Sequence, residues 1–143
     1  MLNKKIYDSY KNILLKEGLK FTPQRLEILK EVVSGRGHRE CEEIYLSMKK
    51  KGKRVSRATI YRTIDILVKN NLARKLELGD GRARYESKFN SSHHDHLICT
   101  SCGEIKEFVD DEIENKQEKI AQQNGFVLSK HSHQLFGLCK KCQ

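Results

Sequence analysis

The stretch that decides the fold of the first part of the chain lies at residues 56–86 and reads SRATIYRTIDILVKNNLARKLELGDGRARYE. Ser56 is typical of a helix N-cap, and apolar residues then recur at the spacing of one helix face. We expect that face to be formed by Ile60, Ile64, Leu67 and Val68. The stretch therefore predicts a helix that begins at Ser56 and ends near Asn70.

The second part of the same stretch predicts a β-hairpin. Residues 72–78 alternate in a way that is typical of a strand. Residues 79–81, Gly-Asp-Gly, are a strong turn signal, and residues 82–86 return as a second strand.

Three amphipathic helices are predicted upstream. The first ends near Gly18, the second begins at Thr22 with Pro23 in the first helical position, and the third is broken by Gly52. Their inward faces are expected to contain Ile6, Tyr10, Ile13, Leu14, Leu26, Leu29, Val33, Cys41, Ile44, Tyr45 and Met48. Three helices, a fourth with a polar face and a basic hairpin are typical of a winged helix-turn-helix domain.

The remainder of the chain predicts a second, smaller domain. Strands are expected at residues 95–99, 105–109 and 126–138, with a helix at 110–124 before the last strand. We therefore predict an α+β chain with a winged helix-turn-helix domain over residues 1–87 and a small α/β domain over residues 93–143. The polar, turn-prone residues 88–92 are expected to form a hinge between them.

Charge is unevenly distributed along the chain. Residues 1–92 carry 22 Lys and Arg against 11 Asp and Glu, whereas residues 93–143 carry 6 against 8. The first part is thus suited to a polyanion such as DNA. On the fourth helix we expect the solvent-facing residues to contact DNA, where arginine reads guanine and tyrosine packs on a thymine methyl: Arg57, Thr59, Tyr61 and Arg62. A helix for protein interaction is the alternative.

The cysteines predict a structural metal site. Two Cys-x-x-Cys pairs, Cys99 with Cys102 and Cys139 with Cys142, can supply the four thiolates of a closed tetrahedral zinc site. Two disulfides or unrelated thiols are the alternative, and disulfides are less typical of a reducing compartment. Cys41 is left over and is interpreted as a buried helix residue.

The run His93-His94-Asp95-His96 offers four potential metal ligands in a row. Because successive side chains of a strand point to opposite faces, His93 and Asp95 should face one way and His94 and His96 the other. One segment is therefore able to serve two sites. Partners are available in His38, Glu86, Glu107, Glu114 and His131, each of which is weak evidence alone. A solvated polar turn is the alternative.

Other features exclude several classes of protein. No apolar run approaches the length of a membrane span, and no apolar stretch typical of a signal peptide follows the start, so we expect a cytoplasmic protein that contacts no membrane. A hydrolytic zinc enzyme would be expected to carry a His-Glu-x-x-His helix, which the sequence lacks. A four-cysteine site leaves no open position for catalysis. We predict that the chain is not an enzyme.

Four blocks of sequence, taken in order, resemble the signatures of the ferric uptake regulator family of metal-dependent transcriptional repressors. They are residues 18–25 (GLKFTPQR), residues 58–63 (ATIYRT), residues 93–103 (HHDHLICTSCG) and the pair Cys139-x-x-Cys142. The blocks span nearly the whole chain.

The resemblance implies a role for each matching residue. Structural zinc would be held by Cys99, Cys102, Cys139 and Cys142. A regulatory metal, Fe²⁺ or Mn²⁺ with Zn²⁺ able to substitute in vitro, would be held between the domains by His38, Glu86, His94, His96 and Glu107. A further site would use His93, Asp95, Glu114 and His131. Lys20 would reach the minor groove of DNA, and Tyr61 and Arg62 the major groove.

The resemblance also implies a repressor that binds an inverted-repeat operator as a dimer when regulatory metal is present. Glutamate at positions 86 and 107, with Arg62 after Tyr61, favours the iron-responsive type over the peroxide sensor, where aspartates commonly occupy these metal positions. A zinc-uptake regulator is a third alternative, and pairing of dimers into tetramers is left open. His133 receives no role and is interpreted as a solvated strand position.

Overall fold

The computed structural model describes residues 2–89 and 92–143, and the chain divides into two compact units, residues 1–91 and 92–143. The expected hinge at 88–92 includes Asn90 and Ser91, which lie outside the described residues. The first unit contains α1 (Lys4–Lys16), α2 (Pro23–Ser34), α3 (Cys41–Lys50), α4 (Arg57–Lys69), β1 (Ala73–Glu77) and β2 (Ala83–Ser87). The second contains β3 (Asp95–Cys99), β4 (Ile105–Phe108), α5 (Asp111–Gln123) and β5 (Gln134–Gly137).

The helix starts follow the side chains that cap them. Thr22 Oγ1 accepts a hydrogen bond from the Arg25 amide at 3.3 Å, with Pro23 in the first position of α2. Ser56 Oγ accepts from the Thr59 amide at 3.1 Å at the start of α4. These bonds satisfy amide groups that a helix leaves unpaired at its first turn. The predicted α+β fold, with four helices before a hairpin, is confirmed.

The first unit encloses an apolar core. Its largest fully buried side chains lie on all four helices: Tyr10, Leu14, Ile28, Leu29, Ile44, Met48, Ile60, Ile64 and Leu67. Five residues expected to face inward are half-buried at its margin: Ile6, Ile13, Leu26, Tyr45 and Val68. Cys41 is buried in this core, as expected, and burial raises the pKa of its thiol to about 11.

A buried carboxylate ties α2 to α3. Glu31 is 7% exposed and receives hydrogen bonds from Arg39 at 2.9 Å, Ser47 at 2.8 Å and Lys51 at 2.5 Å. Gly35 leaves room for this arrangement, because a Cβ there would lie 1.8 Å from Arg39 Nη2. Burial alone raises the pKa of Glu31, but the donors from Lys51, Arg39 and Ser47 outweigh it, so the pKa is lowered.

The hairpin is antiparallel and is fastened to the loop before α3. Arg74 pairs with Glu86 in the register of β1 and β2. Arg39 and Tyr85 exchange two backbone hydrogen bonds, of 3.0 and 2.8 Å. This bridge holds His38 next to Glu86 in space.

The second unit is built on a three-stranded sheet in the order β4-β3-β5, in which β3 runs antiparallel to β4 and parallel to β5. The strand expected over residues 126–138 is wrong in length, because only Gln134–Gly137 pairs with β3. The Phe126 amide instead donates to the carbonyl of Ala121 at 2.8 Å, and Val127 is 97% exposed. Across both described ranges, no helix is long and apolar enough to cross a membrane.

Candidate metal centres and nucleic-acid interface

The four paired cysteines meet at one point of the second unit. Cys99 ends β3, Cys102 follows in a tight turn, and Cys139 and Cys142 follow β5, the strand paired with β3. Their four sulfur atoms all lie within 4.8 Å of one another, and Cys102 Sγ is 3.7 Å from Cys139 Sγ. Gly103 adopts a φ of +76°, which a residue with a side chain rarely does, and this conformation closes the turn.

The thiols of this cluster suit a metal better than a disulfide. All five cysteines of the chain lie in the described residues, and none of them is joined in a disulfide. The Cys102 and Cys139 amides donate to Cys99 Sγ at 3.5 and 3.4 Å, and these bonds lower the pKa of the Cys99 thiol to about 6. Burial raises the pKa of Cys139 to about 12. Four sulfur donors within this distance of one another fit Zn²⁺, which would stabilise all four as thiolates.

In the first unit, His38 and Glu86 form a buried pair. His38 Nε2 lies 3.1 Å from Glu86 Oε2, and each side chain is 7% exposed. Arg74 approaches the other oxygen of the same carboxylate, with Nη1 3.2 Å from Glu86 Oε1. The pair thus offers one imidazole nitrogen and one carboxylate oxygen to a metal ion, next to a cation supplied by the opposite strand.

In the second unit, His94, His96 and Glu107 form another group. His94 Nε2 is 3.4 Å from Glu107 Oε1, and the rings of His94 and His96 are 4.9 Å apart between centroids. His96 and Glu107 are paired in the register of β3 and β4. The carbonyl of Ser92 lies 2.8 Å from His94 Nδ1, which leaves Nε2 directed at Glu107. Both histidines are buried.

A separate cluster within the second unit contains His93, Asp95, Glu114 and His131, whose ligand atoms all lie within 4.8 Å of one another. Glu114 Oε1 is 3.1 Å from His93 Nε2 and 3.3 Å from His131 Nε2. Asp95 Oδ1 is 3.6 Å from each of the same two nitrogens. Asp95 is 1% exposed, and both its oxygens lack a hydrogen-bond donor among the described residues. A buried carboxylate of this kind fits a cation.

The two histidine groups use alternate residues of one segment. His93 and Asp95 meet Glu114 of α5, whereas His94 and His96 meet Glu107 of β4. The division therefore follows the predicted two-residue alternation, and Asp95 and His96 are the members of the segment that lie in β3.

The exposed side of α4 carries the residues expected to contact DNA. Arg57, Tyr61 and Arg62 are exposed, and Tyr61 is 49% accessible. Thr59 is half-buried, with its hydroxyl 2.9 Å from that of Ser56.

Two of the residues expected to contact DNA make further contacts within the first unit. Arg57 makes three hydrogen bonds to Glu42, at 2.7, 2.8 and 3.2 Å, and stacks 4.0 Å above the Tyr45 ring. Lys20 is exposed just before α2, and its carbonyl accepts a hydrogen bond from Arg25.

Sequence reasoning missed two residues that touch these groups. Arg74 is one. Positions 74 and 86 are equally distant from Asp80 at the centre of the predicted turn, and this was the available signal that they face each other across the hairpin. His133 is the other, and its interpretation as a solvated strand position is wrong. It precedes β5, its side chain is 27% exposed, and its Nδ1 lies 3.6 Å from Asp95 Oδ2. Its spacing of two residues from His131 was the available signal.

Comparisons with known proteins agree with this geometry. The sequence model of the Ferric uptake regulator family matches residues 16–136. The ferric uptake regulation protein of Campylobacter jejuni is 37% identical over 139 residues, which cover 96% of this chain and 88% of that protein. The Helicobacter pylori ferric uptake regulator, described as having three functional metal binding sites, superposes with a TM-score of 0.83 at 35% identity, covering 97% and 92% of the two chains.

A second solved structure is similar at lower identity. The Campylobacter jejuni peroxide stress regulator superposes with a TM-score of 0.71 at 26% identity, covering 96% of this chain and 98% of the other.

Proposed function

The chain belongs to the ferric uptake regulator family, and on this basis we propose that it is an iron-responsive repressor that binds an inverted-repeat DNA operator as a homodimer. Members of the family are metal-responsive transcriptional regulators, so the chain is a regulator and not an enzyme. Its place of action is the cytoplasm, where operators are found and thiols stay reduced.

The observation that carries the regulatory-metal assignment is the donor set of the two histidine–glutamate groups. His38 with Glu86, and His94 with Glu107, each place an imidazole nitrogen within 3.4 Å of a glutamate oxygen. Mixed imidazole and carboxylate donors suit Fe²⁺, Mn²⁺, Co²⁺ or Zn²⁺, whereas the four thiols suit Zn²⁺. Glutamates at 86 and 107 favour the iron-responsive type, because the peroxide sensors that this sequence resembles in part commonly carry aspartates there.

We assign three sites on this basis. Zn²⁺ is held by Cys99, Cys102, Cys139 and Cys142. The regulatory metal is held by His38 and Glu86 together with His94, His96 and Glu107. The third site uses His93, Asp95, Glu114 and His131.

The ligand set explains why metal would control DNA binding. In this proposal one ion takes ligands from residues 1–87 and from residues 93–143. With His38 and Glu86 held in this way, the DNA-binding domain samples fewer orientations across the hinge at 88–92. The entropy lost on docking at two half-sites is then smaller, so DNA affinity rises. By linkage, the operator raises metal affinity by the same factor.

DNA contact is assigned to the exposed side of α4 and to Lys20. Tyr61 and Arg62 enter the major groove, where an arginine fork recognises guanine. Arg57 and Thr59 lie at the N-terminal end of the same helix, and the surplus of positive charge in residues 1–92 supplies phosphate contacts.

Dimerisation is assigned to the second unit because its apolar side chains are left uncovered. Most of the large hydrophobic residues that are exposed lie there: Leu97, Val109, Ile120, Phe126, Val127, Leu135, Phe136 and Leu138. An uncovered apolar surface of this kind is typical of an interface. A two-fold dimer would present two α4 helices to the halves of an inverted repeat.

The test is anaerobic binding of the zinc-loaded protein to a ferric-uptake-type inverted-repeat operator, with Fe²⁺, Mn²⁺ or Zn²⁺ titrated in and peroxide added afterwards. We expect Fe²⁺ to raise affinity by roughly 5- to 150-fold, the range of typical allosteric coupling, and peroxide to leave the complex intact. Glu86→Gln should lose the response. Glu77→Gln, the same change at an exposed position of the hairpin, should keep it.

Each other result changes the assignment. Release of DNA by peroxide from the iron complex would make the chain a peroxide sensor. A response to Zn²⁺ alone would make it a zinc-uptake regulator. Equal binding with and without added metal would refute the regulatory site.

A further inference from the structure

His133 is the one of the six histidines that is not a ligand in any of the proposed sites. All six histidines lie in the described residues, and the other five belong to the regulatory or the third group. The His133 ring faces a carboxylate that is almost completely buried. Its Nδ1 lies 3.6 Å from Oδ2 of Asp95, which is 1% exposed.

The two oxygens of Asp95 face different partners. Oδ1 lies 3.6 Å from the Nε2 atoms of His93 and His131, inside the third cluster. Oδ2 faces His133, which is not a member of that cluster. Among the described residues, both carboxylate oxygens and His133 Nδ1 are buried without a hydrogen-bond partner. A buried carboxylate oxygen that lacks a donor is unfavourable, so a donor at Oδ2 would be stabilising.

The position of His133 is fixed by contacts with β3, which carries Asp95, and with the adjacent strand β4. The His96 amide of β3 donates to the His133 carbonyl oxygen at 3.2 Å. The ring of Phe108 packs edge-on against the His133 ring, with centroids 5.9 Å apart and planes inclined by 76°. Phe108 is also the residue of β4 paired with Asp95 in the sheet register. The backbone hydrogen bond and the Phe108 ring thus hold the His133 ring so that it faces the Asp95 carboxylate.

We propose that His133 is a positioning residue of the third metal site: its Nδ1–H donates to Asp95 Oδ2 and thereby directs Oδ1 at the metal ion. The inference rests on the third site proposed above. A small rotation of the carboxyl group is enough to bring the 3.6 Å separation to a hydrogen-bond length of about 3 Å. Partners of this kind fix a ligating group before the ion arrives, and their loss typically lowers metal affinity by about 10- to 100-fold.

The test uses the full-length, zinc-loaded protein carrying His96→Ala, which disables the regulatory group. Co²⁺ is titrated in and followed by its visible absorption, while zinc content and the thermal unfolding midpoint are measured in parallel. His133→Leu should weaken Co²⁺ binding by roughly 10- to 100-fold and alter the absorption spectrum. His133→Asn should recover most of the affinity, because its amide nitrogen occupies about the position of Nδ1.

The outcomes separate this inference from the site on which it rests. Unchanged Co²⁺ affinity in His133→Leu would refute the role of His133 while leaving the third site in place. Equal weakening in His133→Asn and His133→Leu would show that the ring fills space and is not needed as a donor, which also refutes it. No Co²⁺ bound by the protein with His133 intact would refute the third site itself.

Discussion

The two units of the chain are stabilised by different means. Of the buried hydrophobic residues, residues 1–91 contribute a cluster that extends over four helices, whereas residues 92–143 contribute Ile98, Cys99 and Ala121. In the second unit as many buried residues are polar, namely His94, Asp95 and His96. Small domains bury little apolar surface and are therefore only marginally stable, and bound metal ions commonly supply the missing stability. The first unit is therefore stabilised by its apolar core, whereas we expect the second to be stabilised by bound metal ions.

The largest effect should follow loss of zinc from the second unit. Cys102→Ser removes one of four thiolates, and structural zinc contributes about 10–16 kcal/mol of apparent binding free energy at neutral pH. We expect zinc to be lost and the amides of β3 to exchange rapidly with deuterium, while those of α4 stay protected. Hydrogen exchange read by mass spectrometry measures both units in one sample.

Cys41→Ala is the matched control, because Cys41 lies in the core of the first unit and outside the zinc cluster. It should retain zinc and leave the exchange of β3 unchanged. Continued protection of β3 in zinc-free Cys102→Ser would show that the second unit does not need the metal to fold.

A smaller effect should follow a cavity in the first unit. Leu29 is completely buried, so Leu29→Ala should lower the free energy of unfolding of this unit by about 2–5 kcal/mol. Zinc content should not change. Urea unfolding followed by circular dichroism measures the loss, and Leu46→Ala, at a side chain 53% exposed, should stay within about 0.5 kcal/mol of the parent. Equal losses in the two variants would contradict the core described above.

The smallest effect concerns the Glu31 network and its dependence on pH. Because the folded pKa of Glu31 is lowered, its contribution is complete above the ordinary carboxyl value of 4.5 and is lost as pH falls through the folded pKa. Glu31→Gln should lower the free energy of unfolding by about 1–3 kcal/mol at pH 7. It should also make the stability of the first unit fall less steeply between pH 5 and pH 3.

Urea unfolding at several pH values tests this prediction. Glu27→Gln, at a more exposed glutamate on the same helix, should give a smaller loss. A parent and a Glu31→Gln variant with parallel pH dependence would indicate that Glu31 is not the acid-sensitive group.

Local signals in the sequence predicted the elements that depend on local chemistry. The caps at Thr22 and Ser56, the turn at 79–81 and the alternation from His93 to His96 each act within a few residues. The last strand was predicted too long because the apolar run at residues 126–128 is typical of a strand, but residues 126–132 pair with no strand. The residues that pair in a strand are determined by the partner strands of the whole sheet, which the local sequence does not specify.

The same limit applies to the sites. The four cysteines could be assigned from spacing alone, whereas Arg74 became visible only with the hairpin register, and His133 only with Asp95 placed next to it. The sequence also does not reveal that Glu42 holds Arg57, since the two residues are 15 positions apart.

The alternating use of residues 93–96 has a consequence for how such a chain can change over generations. Substitutions at His94 or Asp95 alter one candidate metal group at a time, so the two groups can change separately. An inserted or deleted residue within the segment would instead exchange the two faces, because a shift of one position turns every side chain over. Both groups would then be lost in a single event. We therefore expect a change in the length of this segment to be tolerated less well than a change of any one of its residues.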